Sequence, residues 1–524
     1  MVRFEEELKN KIKSLELRYY VAFFSTVICG LGAHIYHLTN KLFNYDELGQ
    51  TPAGYGAGIE LGRWGLWIID KTIGTLFRSY NMPVVSGMMM IILTAFAVCI
   101  LIKTFEIKDV VCCGLLGGSF VVFPAFVSVM FFMMMTSCHG IAIFCGCLAG
   151  YLITKGTKER RIVQLMSGFV LFLFSMGIYQ AYCALVLGVL LVDIIVAFCD
   201  TENDDEWKIL IMRGIAYCVV FLLGIIIYIL ISKGISNYSG IELGGYRNIK
   251  EMGNFNIGAI IFTILKTYRE YFAIMSSHDI YQINPVVPSR ILYIIINVVV
   301  LVLLFKRIKK EGALLNKIGL VLSIALMPIM IFFPEILVQG EGGYTTMFIC
   351  SAFIFIIPIV LYDRYAREIR TGQNDYIGRT LCLALFCNIL IYIWFANGNY
   401  QALQYTTYHD LAYFETLATQ VKSLDGYTPD LKVALVGDGF EDPTFKAGSL
   451  MGEFFNISGK TETNVNYFNN IYLWKSYLGF TPEIIEFRDS GYLSEMDEVK
   501  AMPCYPEDGS IAIVGDTVVI KASE

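Results

Sequence analysis

Residues 209–232 read ILIMRGIAYCVVFLLGIIIYILIS, twenty-four positions with one charged side chain, Arg213, near the start. An α-helix needs roughly 17–25 mainly apolar residues to cross a bilayer. Similar blocks recur at about 20–38, 84–103, 109–128, 133–153, 162–180, 183–199, 290–306, 318–334, 344–362 and 378–396. Of the 524 residues, 56% are hydrophobic and 16% charged, against about 25% charged in soluble domains. A soluble globular fold is excluded. The pattern predicts a polytopic α-helical membrane protein with about 11 transmembrane helices. The net charge of −6 says little about partners, because charge in such a chain sits in loops. Most of the 14 cysteines lie inside apolar blocks, where they act as small hydrophobes. Cys504 alone lies in the polar tail, so no disulfide framework is expected. The charged stretch to Arg18 and a first apolar block without a small-residue cleavage site do not read as a cleavable signal peptide.

Lys and Arg in short loops favour the cytoplasmic side. The basic segments Arg3–Arg18, Lys103–Lys108, Lys155–Arg161, Lys306–Lys317 and Arg364–Arg379 all fall on that side if the N-terminus is inside. The outer side then receives the loop with Asp46, the segment 233–289, the loop 335–343 and the tail from about 397. Two outer segments read as interfacial helices rather than spans. Glu60–Phe77 mixes Trp64 and Trp67 with charges, and Ile257–Met275 contains Lys266, Arg269 and Glu270. The tail is polar, with strand-like runs at Lys432–Val436, Glu483–Phe487, Ser510–Val514 and Thr517–Lys521. Helical patterns at Leu411–Leu424 and Ser494–Ala501 alternate with them, as in a small α/β domain. Gly437-Asp438-Gly439 is too short for a nucleotide fingerprint and reads as a turn. Three regions are expected: a cytoplasmic segment 1–19, a transmembrane domain 20–396 and an extracytoplasmic α/β domain 397–524.

The chemistry-bearing residues gather on the outer side. Asp46 and Glu47 follow the first span within Phe43-Asn44-Tyr45-Asp46-Glu47-Leu48-Gly49, ahead of Gly62-Arg63-Trp64. They read either as solvated loop carboxylates or as a general base that takes a proton from an acceptor hydroxyl. A phosphate leaving group needs cations rather than a proton donor. Arg63, Lys71, Arg78, Arg247, Lys250, Lys266, Arg269 and Arg290 share that side, and each alone also serves as a headgroup anchor. Arg63, near the acidic pair, and Arg290, at the start of a span, stand out by position; a planar guanidinium binds two phosphate oxygens. His139, near a helix end, is either a phosphate or acceptor contact or a histidine capped by local backbone. Tyr179 and Gln180 lie where the fifth span reaches the outer face, and polar groups at such a depth face a cavity or a neighbouring helix. Glu341 and Tyr344 begin a later span; Glu341 reads as a second pocket carboxylate or as a turn residue. His278-Asp279 has no companion ligands, so no structural metal is expected, while a divalent ion at Asp46 and Glu47 stays open. The methionine runs 88–90 and 130–135 read as packing.

Asn44-Tyr45-Asp46-Glu47, Gly62-Arg63-Trp64, Gly177-Ile178-Tyr179-Gln180 and the closing Met502-Pro503-Cys504-Tyr505-Pro506-Glu507-Asp508-Gly509-Ser510-Ile511 resemble, in this order, the bacterial Gtr type II glucosyltransferase family. The resemblance implies a polytopic GT-C glycosyltransferase of the bacterial plasma membrane. It implies an undecaprenyl-phosphate-linked hexose donor, usually glucose, and an acceptor among O-antigen, cell-wall polysaccharide or teichoic acid. It also implies inversion at the anomeric carbon, an acidic first-loop base at Asp46 or Glu47, no required cofactor, and a donor-synthesising glycosyltransferase and a flippase as functional partners. A lipid-linked sugar flippase or transporter is a rival reading, but it would place ionisable residues near mid-bilayer, where these spans have almost none. A surface-polysaccharide polymerase or ligase is a closer rival, since it would share donor, membrane and side.

Overall fold

A computed structural model describes residues 15–48, 58–77, 82–201, 206–244, 256–309, 314–339, 343–368, 375–437, 471–485 and 489–523. Two compact units result. The first takes residues up to Thr39 and Pro52–Asn397; the second takes Asn40–Thr51 and nearly all of the chain from Gly398.

The first unit is helical. Its elements begin with α1 (Leu17–Thr39), while the short α2 (Tyr45–Leu48) belongs to the second unit. There follow α3 (Trp64–Phe77), α4 (Pro83–Phe105), α5 (Val110–Val122), α6 (Pro124–Met130), α7 (Met133–Glu159) and α8 (Ile162–Ile178). A 3₁₀ turn, Gln180–Tyr182, leads into α9 (Cys183–Asp200) and α10 (Trp207–Ser239). Then come α11 (Ile257–Ala273), α12 (Val287–Lys309), α13 (Leu314–Ala325), α14 (Met327–Ile331) and α15 (Phe333–Leu337). A 3₁₀ segment, Thr345–Ala352, continues as α16 (Phe353–Glu368), and α17 (Tyr376–Lys422) runs from the first unit into the second.

Among the described residues nine helices are long and apolar enough to cross a membrane, and ten if the bent pair α5–α6 is one span. The expectation of eleven differs at two places. Pro124 lacks the N–H that would bond back to the preceding turn, and the chain bends by 47° between α5 and α6. The fifth apolar block stops at Ile178, giving a 17-residue helix, because Tyr179 adopts an extended backbone (φ −154°, ψ 119°). Further irregularities sit between α14 and α15, ahead of Pro334, and in Thr345–Ala352, where Phe348 has non-helical dihedrals. These breaks are not scattered. Residues 124–130, 180–182, 327–337 and 345–352 pack on one another, and nearly all of their side chains are buried. Non-helical backbone at membrane depth is tolerated only where protein surrounds it or a cavity receives it.

One close approach fixes the edge of this region. A Cβ on Gly65 of α3 would lie 2.8 Å from the Gly177 carbonyl carbon of α8, and one on Gly177 would lie 2.6 Å from the Trp64 indole. Between helices in lipid there is no hydrophobic drive, so small residues that allow backbone contact carry the association. The two helices corresponding to the interfacial segments foreseen from sequence, α3 and α11, are both present.

The second unit carries β1 (Lys432–Val436), β2 (Glu483–Ile485), β3 (Ile511–Val514) and β4 (Thr517–Lys521) in the order β2-β1-β4-β3. β1 pairs in parallel with β2 and β4, and β3 with β4 antiparallel. The helix expected at Leu411–Leu424 is the end of the continuous 47-residue α17. The one expected at Ser494–Ala501 is replaced by two short helices, α18 (Gly491–Ser494) and α19 (Asp497–Ala501). Gly437 ends β1 at φ +101°, a turn conformation that favours glycine. The unit's core joins Phe43, Phe414, Leu417, Val433, Trp474 and Val518. Trp474 is fully buried and its indole N–H donates to the Phe414 carbonyl at 2.7 Å.

Gly177→Ala is expected to cost on the order of 1–3 kcal/mol through overpacking and to lower the melting temperature of the purified full chain. Gly234→Ala, where a Cβ meets nothing within 4 Å, should leave that temperature unchanged.

Candidate functional site

The turn before α3 is built by backbone bonds: Gly62 N–H to Ile59 O at 2.9 Å and Arg63 N–H to Gly58 O at 2.6 Å. Gly62 takes φ +69°, which glycine adopts without strain. Two side chains from other elements hold the same turn. The Gln180 amide donates to the Leu61 carbonyl, and the Tyr228 hydroxyl of α10 donates to the Gly62 carbonyl at 2.9 Å. Arg63 therefore leaves a backbone anchored from two sides.

Its guanidinium stacks over the Tyr179 ring, 4.7 Å from the centroid. Such a contact favours a cation by about 0.5–2 kcal/mol. Tyr179 meets the His139 ring edge-to-face at 5.4 Å, and the Tyr182 hydroxyl is 2.8 Å from His139 Nδ1. His139 and Tyr182 are buried; Arg63 is half-buried. Arg63 Nε and the neighbouring Trp64 Nε1 are buried donors with no hydrogen-bond partner among the described residues. Leaving a buried donor unmade costs about 1–3 kcal/mol, so a site with two of them is prepared for an acceptor. Tyr179 and Gln180 can do this because the helix ends at Ile178: the extended Tyr179 turns its ring towards Arg63, and the 3₁₀ turn sends Gln180 back to Leu61. Arg63, His139, Tyr179 and Gln180, separate in sequence, thus form one cluster.

Residues 35–362, more than half of the chain, match the family model described as Glucosyl transferase GtrII. The chain belongs to this family. It is therefore a membrane glucosyltransferase. No curated protein matches the chain.

In this GtrII glucosyltransferase the acidic pair belongs to the second unit. Asn44 begins α2, its Oδ1 accepting the Asp46 N–H at 2.9 Å, while Glu47 Oε2 accepts the Asn44 N–H at 3.2 Å. Together with the Glu47 N–H bond to Asn44 O at 2.9 Å, this is a capping box. Glu47 is buried and Asp46 half-buried. Burial, and then the Glu47 charge, push the Tyr477 phenol above its ordinary pKa. Phe43 packs on Tyr477 at 4.8 Å between ring centroids, and Lys41 lies over the same ring at 4.3 Å. The segment is thereby rooted on a π-helical turn, Trp474–Leu478; such turns are frequent at functional sites.

The other sequence candidates sit elsewhere. Arg290 donates to the Asn284 and Pro285 carbonyls, each at 3.3 Å, and braces the loop before α12. Burial raises the Asp279 carboxyl, opposed by the backbone N–H of Asn284 and by the Arg290 charge. Tyr344 is 43% exposed at the head of the 3₁₀ segment, and Glu341 lies outside the described residues. Lys266 is not an unspent phosphate ligand. It pairs with the fully buried Glu335, which the Tyr281 hydroxyl also reaches. No group of three His, Cys, Asp or Glu among the described residues could hold a metal.

Asp70 is a residue that sequence reasoning passed over. It is 5% exposed on α3, seven positions after Arg63 and hence on nearly the same helical face. An acid two turns beyond an arginine, after the apolar run Leu66–Ile69, was the available signal. Tyr228 gave no such signal, since its partner is a distant backbone carbonyl.

Glu47→Gln retains an acceptor oxygen for the Asn44 N–H and is expected to melt close to wild type. Asn44→Ala, which removes the cap, should cost about 1 kcal/mol, read as a lower melting temperature of the full chain.

Proposed function

We propose that this chain moves glucose from an undecaprenyl-phosphate donor to a hydroxyl of a surface glycan, at the extracytoplasmic face of the bacterial plasma membrane, as an inverting enzyme of the GT-C type. The observation that carries the reading is Arg63: a guanidinium backed by Tyr179, with a buried Nε not used by any acceptor among the described residues. When the bond between the anomeric carbon and the phosphate oxygen breaks, negative charge grows on the polyprenyl phosphate, and a pre-positioned guanidinium stabilises it. The acceptor oxygen forms the new glycosidic bond from the opposite face, which inverts the carbon. Its proton passes to a carboxylate.

We assign that base role to Asp46. Glu47 is occupied by the capping box, and the family to which the chain belongs transfers glucose. To His139, held by the Tyr182 hydroxyl, we assign the orientation of the donor beside Arg63. The basic loops support an inside N-terminus and an outside tail. O-antigen, cell-wall polysaccharide and teichoic acid remain the acceptor classes, and donor synthesis and flipping by separate proteins must precede the step.

The test is transfer by the purified protein from polyprenyl-phosphate glucose to glycan of the host. Asp46→Asn is expected to lower turnover by about 10²–10⁴-fold, with normal expression, while Glu47→Gln stays within several-fold of wild type. Arg63→Gln should lower turnover, and Arg63→Lys should recover only part of it, because an ammonium lacks the planar fork. Unimpaired transfer by Asp46→Asn would remove the base assignment; no transfer from any lipid-linked sugar would favour the flippase reading.

A further inference from the structure

α9 has Tyr182 and the donor cluster at its start and Asp200 at its end. An 18-residue helix is about 27 Å long. At that far end the last turns of α9, α12 and α16 enclose a cavity of about 740 Å³. Four cationic side chains line it, Lys306, Arg307, Arg364 and Arg367, against two anionic ones, Asp200 and Glu368. The volume lies within the roughly 300–1,000 Å³ of small-molecule sites.

Basic residues at helix C-termini also offset helix dipoles, so what matters is which donors are already used. Arg367 is spent on Asp363 at 2.5 Å and on the Glu106 carbonyl at 2.5 Å. Arg307 is spent on the Cys199 carbonyl and on Glu368 at 3.4 Å. Arg364 spends its Nη groups on the Phe105 carbonyl at 2.5 Å and on Asp363 at 3.4 Å, so only its Nε and the Lys306 ammonium remain without a hydrogen bond to an acceptor among the described residues. Lys306 makes no ion pair among the described residues; its ammonium lies over the Tyr365 ring at 5.2 Å. The Arg364 side chain is 7% exposed, and its Nε forms an ion pair with Asp200 Oδ1 at 3.5 Å but no hydrogen bond among the described residues. Leu303, Leu304 and Leu361 supply an apolar wall to the same cavity. A buried guanidinium with an unmade bond, a lysine without a counter-ion and a leucine wall together match a phosphate ester carrying an apolar or glycerol portion.

We propose that this cavity binds a phosphate ester, either the phosphodiester of an anionic lipid headgroup or a soluble phosphate monoester, at the opposite end of α9 from the donor cluster. The purified full chain is melted in zwitterionic phosphatidylcholine micelles, then with added phosphatidylglycerol or with glycerol phosphate, and bound adducts are counted by native mass spectrometry. Lys306→Gln, Lys306→Arg and Lys317→Gln, the last a lysine that does not line the cavity, are compared.

A saturable rise in melting temperature with phosphatidylglycerol alone assigns a lipid ligand; a rise with glycerol phosphate assigns a soluble one. In either case half-saturation should move up about tenfold in Lys306→Gln, return towards wild type in Lys306→Arg and stay unchanged in Lys317→Gln. No rise with either probe overturns the proposal, and so does equal weakening by Lys306→Gln and Lys317→Gln, which would mean general attraction to a basic surface. Lys306 makes no ion pair among the described residues and gives up only its contact with the Tyr365 ring, so its replacement should lower the melting temperature without probe by no more than a few degrees.

Discussion

Hydrocarbon offers no partner to a backbone N–H or C=O, and the first unit is organised around that constraint. A helix satisfies its own backbone and needs nothing from its surroundings. Every departure from helix must then be surrounded by protein or open to water. The departures at Phe123-Pro124, Tyr179, Phe332 and Thr345–Ala352 are brought against one another, so several costly irregularities share one shelter. The same region can therefore hold Tyr179, Gln180 and Tyr182 in directions that a continuous helix would forbid.

The Arg63 cluster inherits its precision from this arrangement. Arg63 is placed by a turn whose carbonyls are held by Gln180 and Tyr228, two residues far from it in sequence. The contact of Gly65 with Gly177 sets the spacing of α3 from α8, and with it the reach of Arg63 to Tyr179. Charge is treated differently elsewhere in the unit. Lys266 is neutralised by Glu335, Lys158 and Tyr217 both bond to the fully buried Asp193, and Arg364 and Arg367 share Asp363. Against these internally paired groups, Arg63 Nε and Lys306 stand out as cationic donors that no acceptor among the described residues consumes.

The apolar blocks were legible because a bilayer-length run has few other meanings: all eleven appear as helices or a helix pair over nearly the expected residues, ten of them long enough to cross a membrane. The Gtr type II resemblance, read from short motifs in order, agrees with the family match over residues 35–362. Strands β1 and β4 were readable to the residue, since Val, Ile and Leu runs bounded by turn residues are short and sharply framed. The long α17 was misjudged because the change from apolar to polar sequence near residue 397 reads as an end. A helix leaving lipid needs no cap there, however, if its polar turns pack on a second core.

By itself, then, the sequence determined what depends on local composition: a polytopic membrane chain, a polar α/β tail, and a set of candidate polar residues in the loops and at the span ends. Hydropathy is a property of consecutive residues, so it survives without a fold. Tertiary structure alone decided which of those polar residues meet. It put Arg63, His139, Tyr179 and Gln180 in contact, left Arg290 to brace a loop, and assigned Glu47 to a capping box beside Asp46. The reason is physical: whether a charged or hydroxyl group is available for chemistry depends on the acceptors and donors around it, and those come from residues tens or hundreds of positions away.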